Sequence, residues 1–159
     1  MKRNTVSTIL CIAVLLVGLP ALAKATCSNA DIAGEWGTAM TGTIFSPTGA
    51  VSFSAVNRAT YDLEGNYWGT QTRSLNGNAS NTTFEGTYEL TSDCTGTKTT
   101  IAYDLQGNLL NTVTQDFVLI NNARELIEIF TSNTLANGTK VPTLITGHST
   151  RVFSKGSKK

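Results

Sequence analysis

From residue 46 onward, turn signals break the chain at short intervals, and this punctuation constrains the fold more than any other feature. They are Ser46-Pro47-Thr48-Gly49, Leu63-Glu64-Gly65-Asn66, Asn76-Gly77-Asn78, Ser92-Asp93-Cys94-Thr95-Gly96, Gln106-Gly107-Asn108, Asn121-Asn122 and Ala136-Asn137-Gly138. Each supplies Gly, Asn or Asp where a backbone must reverse. Between them β-branched and aromatic residues alternate with polar ones at a period of two, and helical periodicity is scarce. The pattern predicts strands at about 34–45, 50–61, 67–75, 82–91, 97–104, 112–120, 125–132 and 143–153, each paired with the next through a hairpin-length link. A sheet of sequential antiparallel strands has two edges to hide. Closure into an all-β, eight-stranded up-and-down barrel removes both and is preferred to a sandwich.

The N-terminus reads differently. Lys2 and Arg3 precede an apolar stretch from Thr8 to Leu22, and Ala21-Leu22-Ala23 offers small residues at a cleavage position. This is the layout of a secretory signal peptide over 1–23, leaving one domain over 24–153 and a basic tail over 154–159. Polar Asn4, Thr5, Ser7 and Thr8 and the position of Pro20 favour cleavage over a retained anchor, and Lys24-Ala25-Thr26 before Cys27 does not suit a lipoprotein. The expected destination is secreted or periplasmic, with no membrane insertion after cleavage. Of the three cysteines, Cys11 leaves with the signal, so Cys27 and Cys94 are expected to pair.

Charge narrows the partners. Twelve basic residues less Lys2 and Arg3 leave ten against eleven acidic ones, a near-neutral mature chain that argues against nucleic acid. The single histidine, His148, has no companion for a zinc site or a catalytic triad, and no glycine loop cradles a phosphate. No metal or cofactor is expected. Phe117-Val118-Leu119-Ile120 and Ile127-Glu128-Ile129-Phe130 are apolar on both faces. This predicts a covered outer face there, under the N-terminal segment, another loop or a second subunit joined through 112–120 and 125–132.

Two resemblances sharpen this reading. Gly34-Glu35-Trp36 on the first strand and Arg151 near the end of the last resemble the calycin pattern of lipocalins and avidins. In that group the tryptophan plugs one end of the barrel and the arginine packs across it, which implies structural roles for Trp36 and Arg151. Cys27-Ser28-Asn29, the glycine-rich hairpin from Asp62 to Gly69, Phe84-Glu85-Gly86-Thr87-Tyr88 and Asp93-Cys94-Thr95-Gly96-Thr97 resemble a family of small exported bacterial proteins near the allene oxide cyclase-like barrels. That likeness bears on fold and compartment, and it permits cofactor-independent cyclase or isomerase chemistry.

Candidate site residues emerge from these readings. Tyr61, Tyr67, Trp68, Phe84, Tyr88 and Tyr103 supply enough aromatic surface to bind a small apolar or amphipathic ligand. The same side chains could instead fill the barrel, since eight strands enclose a space that side chains can occupy. For catalysis the candidates are Glu128, on one strand face with Leu126 and Phe130, and Asp116 beside Phe117. Against this, Glu128 could face solvent or pair with Arg124 or Arg151. A structural or interaction module without ligand is the third class.

Overall fold

The computed structural model describes residues 26–152. The expected signal peptide over 1–23 and the tail over 154–159 lie outside them. A short helix α1 (Asn29–Ile32) precedes eight strands: β1 (Gly34–Ser46), β2 (Gly49–Tyr61), β3 (Asn66–Leu75), β4 (Asn78–Leu90), β5 (Thr95–Tyr103), β6 (Leu109–Ile120), β7 (Glu125–Leu135) and β8 (Thr143–Arg151). Each strand pairs antiparallel with the next, and β8 pairs back onto β1 to close the barrel. This is a closed up-and-down antiparallel barrel, consistent with the calycin resemblance and reached without an exposed sheet edge.

Several strands run longer than the turn signals predict, because the hairpins are tighter. At Asn76-Gly77 both residues have positive φ, 48° and 87°. That geometry makes a two-residue turn whose twist matches the strands, so Asn78 pairs with Leu75 instead of belonging to the loop. Elsewhere, bulges interrupt the alternation. The register shifts between Thr114 and Gln115 against β7 and between Ala102 and Tyr103 against β6. Past the first bulge, the buried positions of β7 change from Leu126 and Glu128 to Asn133.

One end of the barrel is sealed. Trp36 is fully buried and donates its indole N–H to the Ile32 carbonyl at 2.7 Å. Arg151 lies over the indole, its guanidinium carbon 4.8 Å from the ring centroid. The same guanidinium donates to the carbonyls of Asp31, of Ala33 at 2.7 Å and of Ala123 at 3.2 Å. One cation therefore stacks on the plug and satisfies carbonyls that the short helix cannot pair itself. Cys27 and Cys94 form a disulfide that ties the segment before α1 to the β4–β5 turn at this end. Such a bond belongs to an oxidising compartment, and no described helix is long and apolar enough to cross a membrane.

The interior contains two apolar clusters. One, at the sealed end, holds Trp36, Tyr61, Tyr67, Phe84, Tyr88, Phe117 and Leu126 with Ile32 beneath. The other, towards the β1–β2 and β3–β4 turns, holds Met40, Phe53, Ala55 and Ile145, with Ile44, Leu75 and Phe130 packed against it. On the outer surface, no described segment of this chain covers β6 and β7. Ile127 and Ile129 are 46% and 43% exposed, because α1 closes the barrel's end and does not lie along its side.

Candidate functional site

Six polar and aromatic side chains from five strands meet inside the barrel. Tyr61 ends β2 and Tyr67 is the second residue of β3, and their register sets them opposite one another. The rings stack with centroids 4.9 Å apart and planes within 9°. Tyr88 meets Tyr61 edge-on at 5.2 Å, and Phe84 tilts against Tyr67 at 5.9 Å. Together these rings make an aromatic floor above the Trp36 plug.

Polar groups sit on that floor. Lys98 on β5 donates to the Tyr61 hydroxyl at 3.1 Å and forms an ion pair with Glu128 on β7. Gln115 on β6 reaches Glu128 Oε1 through a long contact of 3.4 Å, and its own amide oxygen accepts a hydrogen bond from Thr100 at 2.7 Å. Thr100 in turn bonds with the Tyr67 hydroxyl. The chain Tyr67–Thr100–Gln115–Glu128–Lys98–Tyr61 is closed by the stacked phenols into a polar ring.

Local sequence explains how these groups fit. Gly147 on β8 lies opposite Glu128, and a Cβ there would stand 2.6 Å from Oε1 and 2.8 Å from Cγ. Only a residue without a side chain leaves space for the carboxylate to lie flat on the wall. Gly86 does the same for Tyr67, whose ring would be 2.8 Å from an added Cβ.

The electrostatics are those of a dry site. The side chains of Lys98 and Glu128 are only 5% and 1% exposed. Burial by itself would lower the lysine pKa, but the Glu128 carboxylate and the two phenols outweigh it, and the pKa is raised, so the ammonium keeps its proton. The ammonium also lies 5.8 Å and 5.5 Å from the Tyr61 and Tyr67 ring centroids. Burial pushes the pKa values of Tyr61 and Tyr67 up, which keeps both phenols as hydrogen-bond donors.

Beyond the ring a cavity of about 190 Å³ runs towards the open end of the barrel. Its walls are mainly apolar, with Met40, Phe53, Val113, Phe130 and Ile145 among them. Asn57 Oδ1 and Asn111 Oδ1 are buried without a hydrogen-bond partner among the described residues, and both side chains line this space.

The expected site residues divide by strand face. Tyr61, Tyr67, Phe84 and Glu128 border the cavity. Tyr88 is buried in the floor beneath it, with its hydroxyl on the Asp62 carbonyl. Trp68 is 48% exposed on the outer surface: it follows Tyr67 directly, and neighbours on a strand point to opposite faces. Tyr103 also faces outward, donating to Glu85 at 3.1 Å. Asp116 is exposed on β6, one position from inward Gln115 and Phe117. Glu128 faces neither solvent nor Arg124 or Arg151; its partner is Lys98. His148 contacts Glu125 at 3.1 Å on the outside.

Lys98, Thr100 and Gln115 escape a reading of the sequence for conspicuous acids and aromatics. Gln115 had a detectable signal, standing in step with Val113, Phe117 and Leu119 on an otherwise apolar face. Lys98 had a misleading one. It is in step with Gly96, Thr100 and Ala102, whereas the larger Ile101 and Tyr103 are on the opposite, outward face.

No protein-family model matches the sequence, and no curated protein matches it. Fold alone does not specify activity, so function has to be read from the lumen.

Proposed function

We propose that this protein binds a small amphipathic molecule inside the barrel. The observation that carries the reading is the cavity of about 190 Å³ between an apolar wall and the Tyr61–Lys98–Glu128–Gln115 ring. A cavity of ~150 Å³ is known to admit a benzene-sized guest, so this one suits a monocyclic body with a short substituent. The wall of Met40, Phe53, Phe130 and Ile145 would take the apolar part. At the inner end, the Tyr61 hydroxyl accepts from Lys98, and its own proton has no acceptor among the described residues. A carbonyl, ether or hydroxyl oxygen on the ligand would complete that bond.

The ion pair favours binding over the cyclase or isomerase alternative. A general base must be free to take a proton from its substrate. Glu128 is instead committed to Lys98. The ring thus offers directed hydrogen bonds in a dry site with its two charges balanced.

Native mass spectrometry of protein taken gently from its own compartment tests the proposal. A discrete adduct that leaves on denaturation is expected, and Ala102→Phe, which fills the lumen from its wall, should abolish it while the fold persists. Bare protein, together with failure to bind phenylbutanol in calorimetry, would overturn the reading.

A further inference from the structure

We infer that the ligand carries a single negative charge, held by Arg73 near the open end of the barrel. The inference rests on the lumen-binding reading and adds the ligand's charge and its orientation.

Three charged side chains border the cavity: Arg73, Lys98 and Glu128. The last two neutralise one another. Arg73 forms no ion pair among the described residues, and its only side-chain hydrogen bond runs from Nε to Ser80 Oγ at a long 3.4 Å. A guanidinium has five N–H donors in a planar fork, so four have no acceptor among the described residues. The lumen therefore carries one uncompensated positive charge.

Its position matters as much as its charge. Arg73 lies on β3, opposite Ala55 of β2 and Ser80 of β4, two residues from Leu75 of the outer apolar cluster. The side chain is half-buried, and loss of solvent lowers its pKa. A desolvated cation without a counterion gains more from an incoming anion than a solvated one would. One guanidinium balances one charge, and its fork matches a carboxylate through two parallel bonds.

Lys98 is the competing anchor, and the geometry disfavours it. An anion placed there would stand beside Glu128, and like charges in a dry site repel. The ligand's carboxylate would thus sit at Arg73, with its body in the apolar cavity and its inner end at Tyr61.

Matched probes separate these possibilities. Phenylbutyrate and phenylbutanol share a body and differ in charge, and their affinities can be measured by calorimetry on the disulfide-bonded protein, Arg73→Met and Arg73→Lys. The acid should bind the parent protein at least tenfold more tightly than the alcohol. Arg73→Met should erase that preference by weakening the acid at least tenfold more than the alcohol, and Arg73→Lys should keep part of it. Equal affinities in the parent protein would overturn the inference, as would a preference that survives in folded Arg73→Met, which would place the anion at Lys98. If the alcohol binds and the acid does not, lumen binding stands and the anionic ligand falls. If neither binds, both readings fall together.

Discussion

Lys98→Met is the most informative single perturbation of this barrel. Methionine keeps most of the lysine's volume, so the substitution removes charge without opening a large cavity. What remains is the Glu128 carboxylate, 1% exposed beside a vanished partner. Two charges at a separation of about 3 Å in an effective dielectric of about 20 attract by roughly 5 kcal/mol. Breaking a buried pair from one side costs about 3–5 kcal/mol in practice. A domain of ordinary stability, about 5–15 kcal/mol, would be left close to its unfolding threshold. The companion variant Lys98→Met with Glu128→Leu removes both charges, and its stability should return to the parent level or exceed it by about 1–4 kcal/mol. Urea unfolding, read by the fluorescence of buried Trp36, gives both numbers from midpoints at constant slope. A loss below about 1 kcal/mol in the single variant would refute the reasoning, since it would mean that water reaches the pair and the lumen is not the dry site described. A double variant as unstable as the single one would refute it differently, assigning the loss to packing and not to a stranded charge.

Three further outcomes are expected. Gly147→Ala puts a methyl group where Glu128 lies, and should cost about 1–3 kcal/mol in urea unfolding; an undisturbed variant would show that the carboxylate is free to move aside. Replacing Cys27 and Cys94 together with serine frees a loop with a sequence separation of 67 and should cost up to about 4 kcal/mol, measured against the parent under oxidising conditions. In alkali, burial raises the pKa values of Tyr61 and Tyr67 and pushes that of Tyr88 up to about 12, whereas unfolded phenols ionise near 10.0. A raised folded value means that stability holds below pH 10 and falls as the pH climbs towards 12, because the unfolded chain releases its protons first. Tyrosinate absorbance from these three should therefore rise only together with loss of the fold. Its appearance in a still-folded protein would contradict their burial.

Turn chemistry and strand alternation are local properties, so the strands, their pairing and the closed barrel were legible along the chain. Residues such as Asn76-Gly77 reverse the chain wherever they occur, and eight paired strands with edges to hide close into a barrel. The likeness of Gly34-Glu35-Trp36 and Arg151 to the calycin pattern anticipated the contact between indole and guanidinium across the sealed end. The interior was less legible. A period of two assigns residues to two faces without saying which faces inward when both carry apolar groups, as on β5, where Ile101 and Tyr103 point out and Lys98 points in. Bulges on β6 and β7 change the assignment partway along a strand. Only the register of the closed barrel brings Lys98 to Glu128 and sets Arg73 on the lumen wall without an ion-pair partner among the described residues. Those charges lie far apart along the chain, and it is their burial in a shared low-dielectric space, a property of the assembled barrel, that gives the site its chemistry.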